Sequence, residues 1–183
     1  MSKKPHAQPD AAPRDAPEAG AGRPGLVMDT NVALDWLLFG NPRVAPLVHA
    51  LQSGRLRWFS CTAMRDELAR MLRHPSLSHW GHDADGALAT HDAMADLWPA
   101  PLVAPRDLPR CSDPDDQVFA ELAVVAGARC LVSHDRALLR LARPLARRGS
   151  ARVLRGPVRP GLPLGPQGRR DGLQQVRVRV LEG

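Results

Sequence analysis

Four carboxylates, Asp29, Glu67, Asp116 and Asp135, stand where side chains could gather round a cation. Asp29 closes the short apolar run Leu26-Val27-Met28 and is followed by Thr30 and Asn31. Asp135 closes a second run, Cys130-Leu131-Val132, through Ser133 and His134. Both runs read as buried parallel strands, each followed by a helical pattern. Ligands of open α/β sheets bind beyond the carboxyl ends of the strands. Two acids at two such ends therefore face one crevice, where their mutual repulsion calls for a hard divalent cation, Mg²⁺ or Mn²⁺.

Glu67 and Asp116 reach the same crevice only if their helices turn the right way. With Met64 at zero and a step of about 100° per residue, Leu68, Leu72 and Met71 fall at about 40°, about 80° and about 340°. On the same wheel Asp66 falls at about 200°, in the middle of the polar arc, and Glu67 at about 300°, on the border of the apolar face. A border acid can reach a cleft; an arginine one turn away is the competing partner for it. Asp113, Asp115 and Asp116 open another helix, where acids offset the macrodipole and cap free N–H groups. Asp113, with Pro114 after it, reads as the N-cap. Asp116 lies over Phe119, Ala120 and Ala123, the face that packs on the sheet, and is the acid best placed for the cleft; Asp115 is the runner-up.

The elements that hold these residues alternate. Strands are expected at 26–29, 56–60, 130–133 and 151–154, and helices at 32–39, 43–53, 62–73, 84–98, 113–126 and 136–142. Gly54 and Gly127 close two of the helices, and 99–110 is a Pro-rich loop. Strands alternating with helices imply a parallel sheet covered on both faces. The expected organisation is a disordered N-terminal tail over 1–24, an α/β domain over 25–156 and a basic Gly/Pro-rich tail over 157–183. Residues 1–24 hold no large aliphatic side chain beyond Met1 and bury too little to offset their ordering entropy. Within the C-terminal tail, Val176 to Leu181 alternates Arg with Val, as an edge strand would.

Other chemistries fit less well. Ser133-His134-Asp135 has the letters of a hydrolase triad, but neighbouring strand residues point to opposite faces and triads are assembled from separated segments. His74, His79, His82 and His91, with Asp83 and Asp85, match no closed zinc spacing. The three cysteines, Cys61, Cys111 and Cys130, are odd in number and scattered, which suits reduced thiols in a cytoplasmic protein. No run approaches the roughly 20 apolar residues of a membrane helix. The net charge of +6 is lopsided: beyond Asp135 there are 12 arginines against Asp171 and Glu182, a net +10, which leaves −4 for the rest. A basic region beside an acidic site suits a polyanion held through its phosphates.

Three segments together resemble the PIN-domain ribonucleases: Val27-Met28-Asp29-Thr30-Asn31-Val32, the helix DELARMLRHP with Glu67, and DPDDQVFAELAVVAGARCLVSHD. The nearest subgroup is the toxins of bacterial type II toxin–antitoxin systems, and the resemblance spans about residues 25–155. It implies a three-layer α/β/α sandwich with a central parallel sheet, and Mg²⁺- or Mn²⁺-dependent hydrolysis of RNA. It also implies a protein antitoxin as partner, and it allows a homodimer. Residue by residue, Asp29, Glu67, Asp116 and Asp135 match the family's four acids. Thr30 or Asn31 matches the polar position beside the first acid, and Ser133 the hydroxyl position beside the fourth. The two tails have no counterpart.

Two other classes compete. A PIN-like binding module, catalytically weak and acting through protein or RNA contacts, is disfavoured by the complete acid set. A phosphatase with Asp29 as nucleophile would want an acid two residues later, and Asn31 stands there.

Overall fold

The computed structural model of this chain describes residues 22–156. The expected N-terminal tail lies outside the described residues up to position 21. The segment 157–183, with the Val176–Leu181 alternation, lies outside them altogether.

Among the described residues five short strands carry the fold: β1 Gly25–Met28, β2 Arg57–Cys61, β3 Ala95–Trp98, β4 Cys130–Ser133 and β5 Arg152–Arg155. All pairings are parallel, in the order β3-β2-β1-β4-β5. The chain winds outward from β1 to β3, then returns past β1 to lay down β4 and β5 on its other side. The direction of winding therefore reverses between β1 and β4, and such a switch point opens a crevice at the strand ends. The register pairs Leu26 with Cys130, Val27 with Leu131 and Met28 with Val132. Asp29 and Ser133 consequently emerge side by side at that crevice.

Among the described residues seven α-helices cover the sheet: α1 Thr30–Leu37, α2 Ala45–Gln52, α3 Thr62–Leu72, α4 Ala84–Met94, α5 Gln117–Val125, α6 Arg136–Arg140 and α7 Ala142–Arg147. Because strand side chains alternate, the sheet feeds two cores. Leu26, Met28, Trp58, Cys130 and Val132 pack with α1 to α4. Val27, Phe59, Cys61 and Leu131 pack with α5 to α7, joined by Met64 of α3. The central strands are apolar on both faces for this reason, and β1 and β4 are buried at every position. The result is the three-layer α/β/α sandwich with an all-parallel sheet. Among the described residues no helix is long and apolar enough to cross a membrane.

The structure corrects four element boundaries. The helix expected over 84–98 stops at Met94, and Ala95–Trp98 is β3. A four-residue edge strand leaves almost no periodic signal, and what fixes it is pairing with β2, including Arg57 donating to Asp96 at 2.7 Å. The helix expected over 136–142 is two helices, α6 and α7. Pro144 has no N–H to return to the carbonyl of Arg140, so the ladder breaks at Leu141 and resumes. The helix expected from 43 opens as a single 3-10 turn, Pro42–Val44, before α2. The helix expected from 113 begins only at Gln117. Gly54 closes α2 as expected, with φ of 69°.

Candidate active site at the strand ends

Asp29 is buried at 3% exposure, and each of its oxygens is held. Its Oδ1 accepts the Val32 N–H at 2.8 Å and so caps α1. Its Oδ2 accepts the Ser133 hydroxyl in a short hydrogen bond and the His134 N–H at 3.0 Å. Ser133, fully buried, also accepts the Asp135 N–H at 2.8 Å. One hydroxyl thus joins the first acid to the backbone of the fourth. Burial raises the Asp29 carboxyl above its ordinary pKa, more than these hydrogen bonds lower it. The neighbourhood is closely packed: a Cβ on Gly156 would lie 2.9 Å from both His134 Cε1 and Val32 Cγ2, and the Gly156 N–H donates to the Ser133 carbonyl at 2.8 Å.

Asp116 stands at the start of α5, and its side chain caps nothing. Its carboxyl is raised to about 7, first by burial, then by the charges of Asp135, Asp113, Asp29 and Glu67. The charges of the three other expected acids are thus all felt at this one group. Cys111 is raised as well, first by burial and then by Asp116, Asp135 and Asp113. Asp135 caps α6 by accepting the Ala137 N–H. Glu67 lies on the half-buried border of α3 while Asp66 is exposed, and it also contacts Arg70 at 3.6 Å. Glu67 thus has the border position the helical period gives it, and its contact is an arginine one turn away.

The supporting positions separate. Asp115 is exposed, and its N–H donates to Asp113 Oδ1 at 3.0 Å. Asp113 caps this turn and not α5 itself, which corrects its expected position at the helix N-cap. Asp113→Ala removes one turn hydrogen bond, so it should cost about 1 kcal/mol of stability and leave any metal-induced rise in melting temperature intact. A melt of the variant with and without Mn²⁺ checks both. Thr30 is half-buried at the start of α1, beside Asp29, and Asn31 is exposed.

Two buried polar pairs escaped the sequence reading. His134 Nε2 meets Asp35 Oδ2 of α1 at 2.9 Å, both side chains nearly buried. The pair fastens α1, whose cap is Asp29, to the turn carrying Asp135. The signal was Asp35 itself, a charge inside the apolar stretch Val32–Phe39, since buried charges need partners. Asp35→Ala leaves the imidazole without that hydrogen-bond partner and should cost about 2 kcal/mol, read as a fall in melting temperature; an unchanged melt would remove the pair from the framework of the site. Farther off, His91 links Ser60 Oγ, 3.0 Å from its Nε2, to Asp92 Oδ1, 3.0 Å from its Nδ1. Asp92 in turn accepts two hydrogen bonds from Arg65, which hold its carboxyl down at about 2. Ser60 and His91 are each 1% exposed, so this network joins α4 to β2 within the core. Among the described residues the histidines form no zinc cluster: His74 engages Ser76 and His82 the Leu72 carbonyl. Ser133-His134-Asp135 is no triad, since the Ser133 hydroxyl turns to Asp29 and the His134 ring to Asp35.

Among the described residues, no three of His, Cys, Asp and Glu stand as a ready-made group that could hold a metal ion. The donors nonetheless suit one. They are all carboxylate oxygens, and one is pushed toward protonation near pH 7, first by burial and then by the charges of its neighbours, a condition a divalent cation relieves. Mg²⁺ binds through one or two carboxylates and keeps several waters, so an open set of acids is compatible with it. The family model of the PIN domain matches residues 25–137, from the start of β1 to just beyond Asp135. No curated protein matches the chain.

Proposed function

Since this chain belongs to the PIN-domain family, a family of nucleases, we propose that it is a ribonuclease that hydrolyses RNA phosphodiester bonds with Mg²⁺ or Mn²⁺ held by Asp29, Glu67, Asp116 and Asp135. The observation that carries this reading is the raised Asp116 carboxyl, on which Asp135, Asp29 and Glu67 all act. When bound, the cation would supply positive charge to the phosphate and acidify a water.

The chain's own residues do the rest. Ser133 and the His134 N–H fix Asp29 Oδ2, so that carboxylate enters the reaction without rotating. The Val32 N–H holds Oδ1, and the helix N-terminus behind it favours the ionised form. Asp116, with no cap bond to make, is free to take up a proton or a cation. Above pH 7 it is mostly ionised and available as a ligand; below that, the proton competes.

A role as the toxin of a toxin–antitoxin pair, with a protein antitoxin as partner, rests on the resemblance of the three sequence segments and belongs to the same proposal. The second reading, a catalytically weak PIN-like module acting through protein or RNA contacts, has one observation in its favour, the lack of a ready-made metal group among the described residues. Incubation of the purified full chain with end-labelled single-stranded RNA separates the two. The nuclease reading expects cleavage with Mn²⁺ and none with chelator. Binding without cleavage at any metal concentration supports the second reading.

A further inference from the structure

We propose that four arginines on α6 and α7, Arg136, Arg140, Arg143 and Arg147, form a ridge that carries the single RNA strand flanking the scissile phosphate. This rests on the nuclease reading above and adds to it the residues that grip the substrate.

The ridge follows from spacing. Steps of four, three and four residues keep the arginines within an arc of roughly 60° round the helix axis. The break at Leu141 does not scatter them, because both helices bury the same face. Ala137, Leu138, Leu141 and Leu145 are buried, and all four arginines are exposed. The ridge begins at the residue after Asp135 and extends for roughly 16 Å of helix. Since β4 and β5 are parallel, the intervening helices must run back down the flank of the sheet, away from the acids.

Along this stretch of the chain its charge is not offset. From 136 to 156 the chain has seven arginines and no acid. Among the described residues none of the four ridge arginines joins a salt bridge, whereas Arg148 is tied to Asp107. A row of unengaged guanidinium groups leading from a cluster of carboxylates fits a polyanion whose one phosphate sits at the acids and whose neighbours lie along the row. The acids repel the strand everywhere except where a cation intervenes, and the ridge supplies the attraction they lack.

The test replaces Arg136, Arg140 and Arg143 together by Gln in the full chain. Its control replaces Arg23, Arg43 and Arg106, three exposed arginines outside the ridge, so both variants lose the same charge. Binding of a fluorescent single-stranded RNA and its Mn²⁺-dependent cleavage are followed against salt. For the ridge variant the expected results are an affinity loss of about tenfold or more, and a plot of log K against log salt shallower by about 2. KM rises, kcat holds and the melting temperature is unchanged. The control should stay close to wild type. Wild-type affinity and slope in the ridge variant would overturn the proposal, as would an equal loss in the control, which would reduce the effect to net charge. If the wild-type chain itself neither binds nor cleaves RNA with metal present, the nuclease reading fails first, and that outcome is distinct from both.

Discussion

Asp116→Asn should reduce metal-dependent RNA cleavage by about 10²-fold or more while making the metal-free protein more stable at pH 8. The loss of activity follows from removing one anionic ligand, since even groups behind the ligands of a metal site are worth about 10–100-fold. The gain in stability follows from the raised carboxyl. An acid whose folded-state pKa stands at about 7, against 3.8 ordinarily, is ionised at pH 8 only at a cost to the fold. Asn keeps the shape and removes the charge. A shift of that size would be about 4 kcal/mol for a fully buried group, and discounting for solvent screening at this half-buried one leaves about 1–2 kcal/mol. That is roughly 3–6 °C in melting temperature for a chain of this size.

The sign with pH is fixed by the same shift. The folded state takes up a proton more readily than the unfolded one, so without metal the wild-type protein gains stability as pH falls through 7 toward 3.8. That contribution is lost as pH rises from 3.8 through 7, and little of it remains above that. Asp116→Asn should flatten this part of the profile. Melts at pH 6, 7 and 8 in chelator decide it; identical slopes in the two proteins would mean that the acids do not converge on Asp116.

Asp29→Asn should also abolish cleavage, again by about 10²-fold or more, with a different effect on the fold. An amide oxygen can still accept the Val32 N–H and cap α1. The amide nitrogen, however, then faces the Ser133 hydroxyl and the His134 N–H, which both donate to Asp29 Oδ2. The hydroxyl can rotate to accept; the His134 N–H cannot and loses its acceptor, at about 1–3 kcal/mol. Relief of a buried charge that the fold already resists offsets part of this. The expected melting temperature is therefore within a few degrees of wild type, with activity gone. Full activity in Asp29→Asn, purified from cells lacking the wild-type enzyme, would remove Asp29 from the site.

The features legible in the sequence share a cause: they repeat. Apolar runs ending in Asp29 and near Asp135 mark strand ends, and a winding reversal puts them together. The helical period puts Glu67 at the border of α3 and Asp116 above the buried Phe119 and Ala120. What was not legible depends on contacts between distant segments. β3 is too short to show a period and exists through its partner β2. The start of α5 moved because Asp113 spends its side chain on the turn before it. His134 and Asp35 lie 99 residues apart, and only the charge of Asp35 within an apolar stretch hinted that a partner had to exist. The ridge of arginines was visible as net charge but not as a ridge, since Pro144 divides the helix that orders it.

The four carboxylates are proposed to bind one class of ligand, a divalent cation, at the β1–β4 switch point. Calorimetric titration of the metal-free full chain with Mn²⁺, alongside Asp116→Asn, tests it most directly. The expected result is saturable binding by the wild-type protein that releases protons near pH 7, as the metal displaces the proton on Asp116. In the variant, binding should weaken by about tenfold or more, with its proton release lost. Absence of saturable binding in the wild type, or equal binding in Asp116→Asn, would contradict it.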